Sequence, residues 1–136
     1  MKMIQAYPHI KDNLEAVRAR IASASRHAGR SEQETQLIAV SKKFSEESIR
    51  HAFASGQRRF GENYIQEASV KIDNLSDLSI EWHFIGPIQS NKTRQIATKF
   101  DWVHSVDRVK VAQRLSEARS LMRHRLKVCL QVNITE

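Results

Sequence analysis

LIAVSKKFSEES, running from Leu37 to Ser48, is the stretch whose reading decides the fold. Leu37, Ile38, Ala39 and Val40 form a short apolar run with a β-branched pair, the pattern of a strand buried on both faces. Ser45 then opens a helix, with Glu46 and Glu47 in its first turn, where the helix dipole favours negative charge. Lys42 therefore falls at the C-terminal end of a buried strand, at a strand-to-helix turn. Parallel α/β folds build their sites at that end of the sheet. A lysine desolvated by its neighbours there has an amine free to attack a carbonyl. The plainer alternative is a lysine that ends a strand and snorkels to water.

Strand and helix patterns alternate on both sides of this stretch. Upstream, Pro8 suits a first helical turn. Ile10, Leu14, Val17, Ile21, Ala24 and Ala28 then recur at steps of three and four, one apolar stripe on a long helix ended by Gly29. Downstream, the helix opened by Ser45 carries Ile49, Ala52 and Phe53 on one face and ends at Gly56. A short strand follows at Arg58 to Gly61, and Asn63 is the expected cap of a helix carrying Tyr64, Ile65, Ala68 and Ile72. The third strand, Ile80 to Gly86, is closed by Pro87, and its helix starts near Ser90 and Asn91 and runs through Ile96 and Ala97. The fourth, Asp101 to Val106, leads to Asp107, the expected N-cap of a helix burying Val111, Leu115, Ala118 and Met122. The fifth, Lys127 to Ile134, alternates Val128, Leu130, Val132 and Ile134 with more polar residues.

Alternation at this spacing predicts right-handed crossovers and a parallel sheet. Lys42, Glu62, Asn63, His83, His104, Ser105 and Asn133 lie late in their strands or just beyond. A parallel sheet gathers such residues on one rim.

Lys and Arg number 22 against 15 Asp and Glu, a net charge of +7 that would suit nucleic acid, an anionic small ligand or solubility alone. The basic residues are scattered, with no aromatic-studded strand and no zinc-finger spacing, so no nucleic-acid partner is expected and that class stays a low alternative. Cys129 is the only cysteine, which excludes a disulfide framework; it is expected to be a buried strand residue. No apolar run is long enough for a signal peptide or a membrane span, and the expected compartment is the cytoplasm. With four glycines there is neither GxGxxG nor a Walker lysine. His83 and His104 lack a partner at metal-ligand spacing, and hydrogen-bonded histidines are expected in place of a metal site. Ser41 projects to the strand face opposite Lys42, against a Ser-Lys nucleophile. Trp82, Phe84 and Trp102 are expected in the core.

AVSK at Ala39 to Lys42, FGENYIQE at Phe60 to Glu67, WHFIGPIQSNKTR at Trp82 to Arg94, HSVDR at His104 to Arg108 and QVNITE at Gln131 to Glu136 follow one another in order. Together they resemble the pyridoxal phosphate homeostasis proteins of the YggS/PROSC family, over nearly the whole chain. The resemblance implies a (β/α)8 TIM-barrel-type domain like the N-terminal domain of alanine racemase, with pyridoxal 5′-phosphate (PLP) held as a Schiff base. The lysine of the AVSK motif would hold it, here Lys42, and Asn63 and His83 would line the cofactor pocket. No settled catalytic reaction comes with the resemblance, and no catalytic residue is assigned. The implied role is intracellular PLP homeostasis, linked to amino acids or keto acids. The alternative is a PLP-dependent racemase-type enzyme, for which no second domain or opposing base is visible.

The chain departs from the resemblance in two places. Many relatives resemble SKTKP after the lysine, whereas here Lys42 is followed by Lys43, Phe44 and Ser45. Alternation along the strand would point Lys43 away from Lys42. The second departure is length. A complete barrel needs about 250 residues, and residues 1–136 hold about the first five β/α units, a truncated barrel forming one PLP-binding domain. The covalent anchor is then expected without the phosphate cradle, and the edge strands without neighbours. Weak discrimination between PLP and pyridoxal, and self-association through the uncovered edges, are expected of such a chain.

Overall fold

The computed structural model describes residues 9–135. Helix α1 spans Ile10–His27, and four strand-and-helix steps and a fifth strand follow: β1 Ala39–Val40, α2 Glu46–Ala54, β2 Arg59–Glu62, α3 Ile65–Asn74, β3 Glu81–Phe84, α4 Thr93–Lys99, β4 Trp102–Val106, α5 Val109–Arg119 and β5 Lys127–Leu130. The strands form one parallel sheet in the order β1-β2-β3-β4-β5. Each neighbouring pair is joined through a helix, as the alternation predicts. Pro8 lies outside the described residues.

The helices pack on one face of the sheet. Phe60, Trp82, Phe84 and Val103 point to that face and meet Ile49 of α2, Ile65 and Ala68 of α3, Ile96 of α4, and Val111 and Leu115 of α5 in one buried cluster. The Phe84 and Phe100 rings meet edge to face at 5.2 Å. Register pairs Phe60 with Trp82 and Gly61 with His83, so alternation sends Arg59, Gly61, Glu81 and His83 to the opposite face.

The α1 stripe is built differently from its apolar pattern. Ile10, Leu14 and Ile21 are half-buried, but Val17 and Ala24 are exposed and Ser25 is buried in their place. Arg18 anchors this face, its guanidinium donating to Ser55 O and Gln57 Oε1, each at 3.0 Å. Gly29, at φ 66°, ends the helix in the left-handed conformation that a side chain disfavours. Ser45 is the N-cap expected of it: its Oγ accepts from Ser48 N at 3.2 Å. Ser45→Ala should cost about 1 kcal/mol, measurable as a lower denaturation midpoint with unchanged slope.

Several other expectations are corrected. Val40 is exposed, so β1 is not buried on both faces; among the described residues it is an edge strand of two residues, paired only with β2. Asn63 and Asp107 are not caps. Tyr64 and Arg108 occupy the N-cap positions of α3 and α5, and neither makes a side-chain cap bond. β5 stops at Leu130, and Val128, Leu130, Val132 and Ile134 are exposed because no helix layer covers that edge. Met122 is also exposed, and Cys129 is only half-buried. In place of Met122, α5 buries Arg119, whose Nη1 donates to Ala97 O and Phe100 O at 2.6 and 2.9 Å, satisfying carbonyls at the end of α4. Among the described residues, no helix is long and apolar enough to cross a membrane.

Candidate functional site

The β1-to-α2 turn carries Ser41, Lys42 and Lys43. Ser41 is buried on the helix side, where its Oγ donates to Glu62 Oε1 at 2.8 Å and its N–H to Gly61 O at 2.9 Å. Lys42 follows and is exposed. The desolvation expected of it is therefore absent, because the sheet face opposite the helices has no covering layer here. Lys43 departs from strand alternation altogether. It sits in a turn at φ 63°, the left-handed region, which costs a side chain-bearing residue about 1–2 kcal/mol.

A buried ion cluster lies directly behind this turn. Lys71 of α3 reaches Ser41 O at 2.8 Å, Glu62 Oε1 at 2.9 Å and Glu67 Oε1 at 2.6 Å. Glu67 Oε1 also accepts from Lys43 N at 2.7 Å. The hydrogen bond from Lys71 and the Lys43 amide together hold the Glu67 carboxyl below the usual carboxylate range, outweighing its partial burial. Glu62 is fully buried and faces the helix layer, so it does not stand on the open rim with Lys42. Its second oxygen, Oε2, is buried and has no hydrogen-bond partner among the described residues.

Asn63 follows β2 and His83 lies in β3, so the three expected cofactor residues come from three adjacent strands. Asn63 is half-buried, and its Oδ1 is shielded from water without a partner among the described residues. It borders a cleft of about 300 Å³ shared with Tyr64, Gln66, Pro87, Gln89 and Lys92. Gly86 backs onto it: a Cβ there would lie 2.5 Å from Asn63 O and 2.9 Å from Asn63 Cα.

His83 belongs to a polar row on the sheet face opposite the helices. Its Nε2 lies 3.0 Å from Glu81 Oε1 and its Nδ1 2.9 Å from His104 Nε2. A carboxylate only accepts, so His83 donates from Nε2 and His104 donates to Nδ1. Trp102, expected in the core, instead lies on this face, its ring stacked on His83 at 5.7 Å, with Nε1 buried and unpartnered among the described residues. Arg59 Nε donates to Glu81 at 3.0 Å, and Lys127 approaches the same carboxylate at 3.8 Å. Burial raises the Glu81 pKa, but His83, Arg59 and Lys127 together outweigh it and leave the net value lowered.

Burial also depresses both histidines below their ordinary value of 6.5, for His83 against the pull of Glu81. An unfolded chain thus binds protons here before the folded one does. The stability this pair contributes is complete above about pH 6.5 and is lost as pH falls through the depressed native values. Melting curves between pH 7.5 and 5 should show this loss, and His83→Gln should flatten the dependence.

The rim is gathered only in part. Lys42, Asn63 and His83 are brought to neighbouring strands, Glu62 turns to the helices, and Asn133 is exposed beyond the end of β5. Among the described residues no group of three His, Cys, Asp or Glu is placed to hold a metal. Lys71 is the member that the sequence reading missed. Its signal was the i, i+4 spacing to Glu67 on a helix whose first turn faces the Lys42 turn.

A parallel sheet with helices packed on one face, and a lysine at the end of its first strand, defines the class. The chain belongs to the alanine racemase N-terminal domain family, whose model matches residues 13–135. The pyridoxal phosphate homeostasis protein of Pseudomonas aeruginosa is 56% identical over 126 residues, covering 93% of this chain and 55% of the relative. That of Escherichia coli K12 is 45% identical over 130 residues, covering 93% and 56%. PipY of Synechococcus elongatus PCC7942, solved with PLP bound, superposes with a TM-score of 0.80 at 40% identity, covering 93% of this chain and 55% of PipY. Solved without PLP, the same protein gives 0.81. The resemblance read from the motifs is thereby borne out. The chain spans about half the length of the curated relatives it matches.

Proposed function

We propose that this chain carries PLP covalently on Lys42 and serves PLP homeostasis, as its relatives' name describes. The observation that carries the reading is the placement of Lys42: exposed, at the C-terminal end of β1, one strand from Asn63 and two from His83. The residues present fit the cofactor. Asn63 Oδ1 and Trp102 Nε1 are an acceptor and a donor shielded from water and left unpartnered, the condition of polar groups that await a ligand. When bound, PLP would supply an electrophilic aldehyde, and the Lys42 amine would be the residue that holds it. Asn63 is placed to orient the ring substituents, and neutral His83, held by Glu81 and His104, to line the ring without adding positive charge. PipY, a relative solved with PLP bound, supports PLP as the ligand.

The sheet is also read as the first five units of a (β/α)8 barrel, with residues 1–136 belonging to a single domain. Sequential strand order without reversal and helices on one face support that reading over a doubly wound sheet. The unpaired outer edges of β1 and β5, together with exposed Val40, Leu130 and Val132, favour self-association of the 136-residue chain. Amino acids or keto acids remain the small-molecule partners expected of a PLP carrier.

To test the assignment, the chain is mixed with PLP, reduced with borohydride, digested and mapped by mass spectrometry. One label on Lys42 is expected. A label on Lys43, or one spread over surface lysines, would overturn the reading.

A further inference from the structure

We propose that Lys71, acting with Glu62 and Glu67, is the positioning device for Lys42, an inference that rests on the covalent role assigned to Lys42 above. The ammonium of Lys71 has three N–H donors, and each finds an acceptor: Ser41 O, Glu62 Oε1 and Glu67 Oε1. These acceptors belong to the end of β1, the end of β2 and the first turn of α3. Glu67 also takes the Lys43 amide. The residue before Lys42 and the residue after it are thus fixed by one cluster, while the Lys42 side chain remains outside it and exposed.

The cluster does what packing alone would not do. An apolar side chain in place of Lys71 would fill its volume but strand the fully buried Glu62 carboxylate without its cation, and removing one partner of a buried pair is strongly destabilising. Such a side chain would also leave the Ser41 carbonyl without its donor and Glu67 without the cation that holds it against the Lys43 amide. Lys43 sits at φ 63° with a full side chain, so the turn is not at rest by its own backbone preference. Released, Lys43 would relax toward ordinary φ, and the Cα–Cβ direction of Lys42 would swing with the peptide plane between them. The amine would then no longer be held in one direction from the end of β1. Lys71 does not touch the cofactor in this account; it acts through the backbone of residues 41–43.

The test compares the parent with Lys71→Met and Glu67→Gln, each alone and combined with Lys43→Gly, which accepts the left-handed conformation without strain. Arg50→Ala, which breaks the exposed Arg50–Asp77 pair between α2 and the segment after α3, is the control for destabilisation away from the turn. Three readouts are taken: hydrogen exchange at the Lys43 amide, acylation rate of Lys42 by a small neutral N-hydroxysuccinimide ester, and the rate of borohydride-fixed PLP capture at Lys42. Lys71→Met should speed exchange at Lys43 and slow PLP capture at Lys42 by about tenfold or more, with label shifting toward Lys43. Adding Lys43→Gly should restore much of the rate, and Arg50→Ala should leave all three readouts at parental values. Capture at Lys42 within about twofold of the parent in folded Lys71→Met and Glu67→Gln would overturn the proposal. So would failure of Lys43→Gly to restore it. If the parent itself captures no PLP at Lys42, the functional reading fails, and exchange and acylation still decide whether the cluster positions the turn.

Discussion

Replacing Lys42 with alanine is expected to abolish the absorbance band of protein-bound PLP and to reduce cofactor retained after gel filtration to background. In the proposed reading the retained cofactor depends on a covalent bond to a single amine, which no neighbouring group would replace. Asn63 and His83 would make only non-covalent contacts, and hydrogen bonds exchanged with water contribute about 0.5–1.5 kcal/mol each. Lys43→Ala is the discriminating companion. Lys43 contributes its amide N–H to Glu67, and alanine keeps that amide, so the hydrogen bond survives the substitution. Its band should persist near the parental intensity. Equal loss in both variants would show that the two lysines share the cofactor and that the single-anchor reading is wrong.

The second large effect is expected at Gly86, where the cause is room. A methyl group there would press on the Asn63 carbonyl oxygen at 2.5 Å and on Asn63 Cα at 2.9 Å, and backbone atoms have no rotamer by which to yield. By contrast, a Cβ at Gly61 would meet only the Ile85 and Ile38 side chains at 3.1 and 3.2 Å, which can shift by a few tenths of an ångström. Gly86→Ala must therefore push the segment after β3 away from the end of β2. Overpacking of this kind costs about 3 kcal/mol, near the upper end of the usual range. For a chain of this length that lowers Tm by roughly 10 °C. Gly61→Ala should cost clearly less. Because the clash falls on Asn63, PLP capture by Gly86→Ala should also weaken at temperatures where the protein remains folded. A Tm within a degree or two of the parent would show that the two turns can separate freely.

Much of this molecule was legible before any coordinate. Periodicity of 3.6 located α1, α2 and α5, and short apolar or alternating runs located five strands, because burying one face of each element is a local property of the chain. Ser45 was legible as a cap because its hydroxyl serves an amide three residues away. The turn that carries Lys42, the proposed cofactor lysine, was legible because it is written in twelve consecutive residues.

What the sequence left open depended on which neighbours arrived. Asn63 and Asp107 have the right chemistry to cap, but the backbone reaches helical geometry one residue or more later, so Tyr64 and Arg108 take those positions. Val40 read as part of a strand buried on both faces, yet burial needs a second layer, and among the described residues none covers β1 on that side. Trp102 and His104 read as core and strand-end residues, and only the register against His83 stacked them into one polar row. By itself, the amino-acid order determined the alternation of strands and helices and the lysine that ends the first strand. Tertiary structure alone decided that Lys71, thirty residues from Ser41, would place its charge against the backbone on either side of Lys42. The reason is physical: periodicity records which face an element buries, whereas the partner a buried charge finds is fixed only when α3 packs against the ends of β1 and β2.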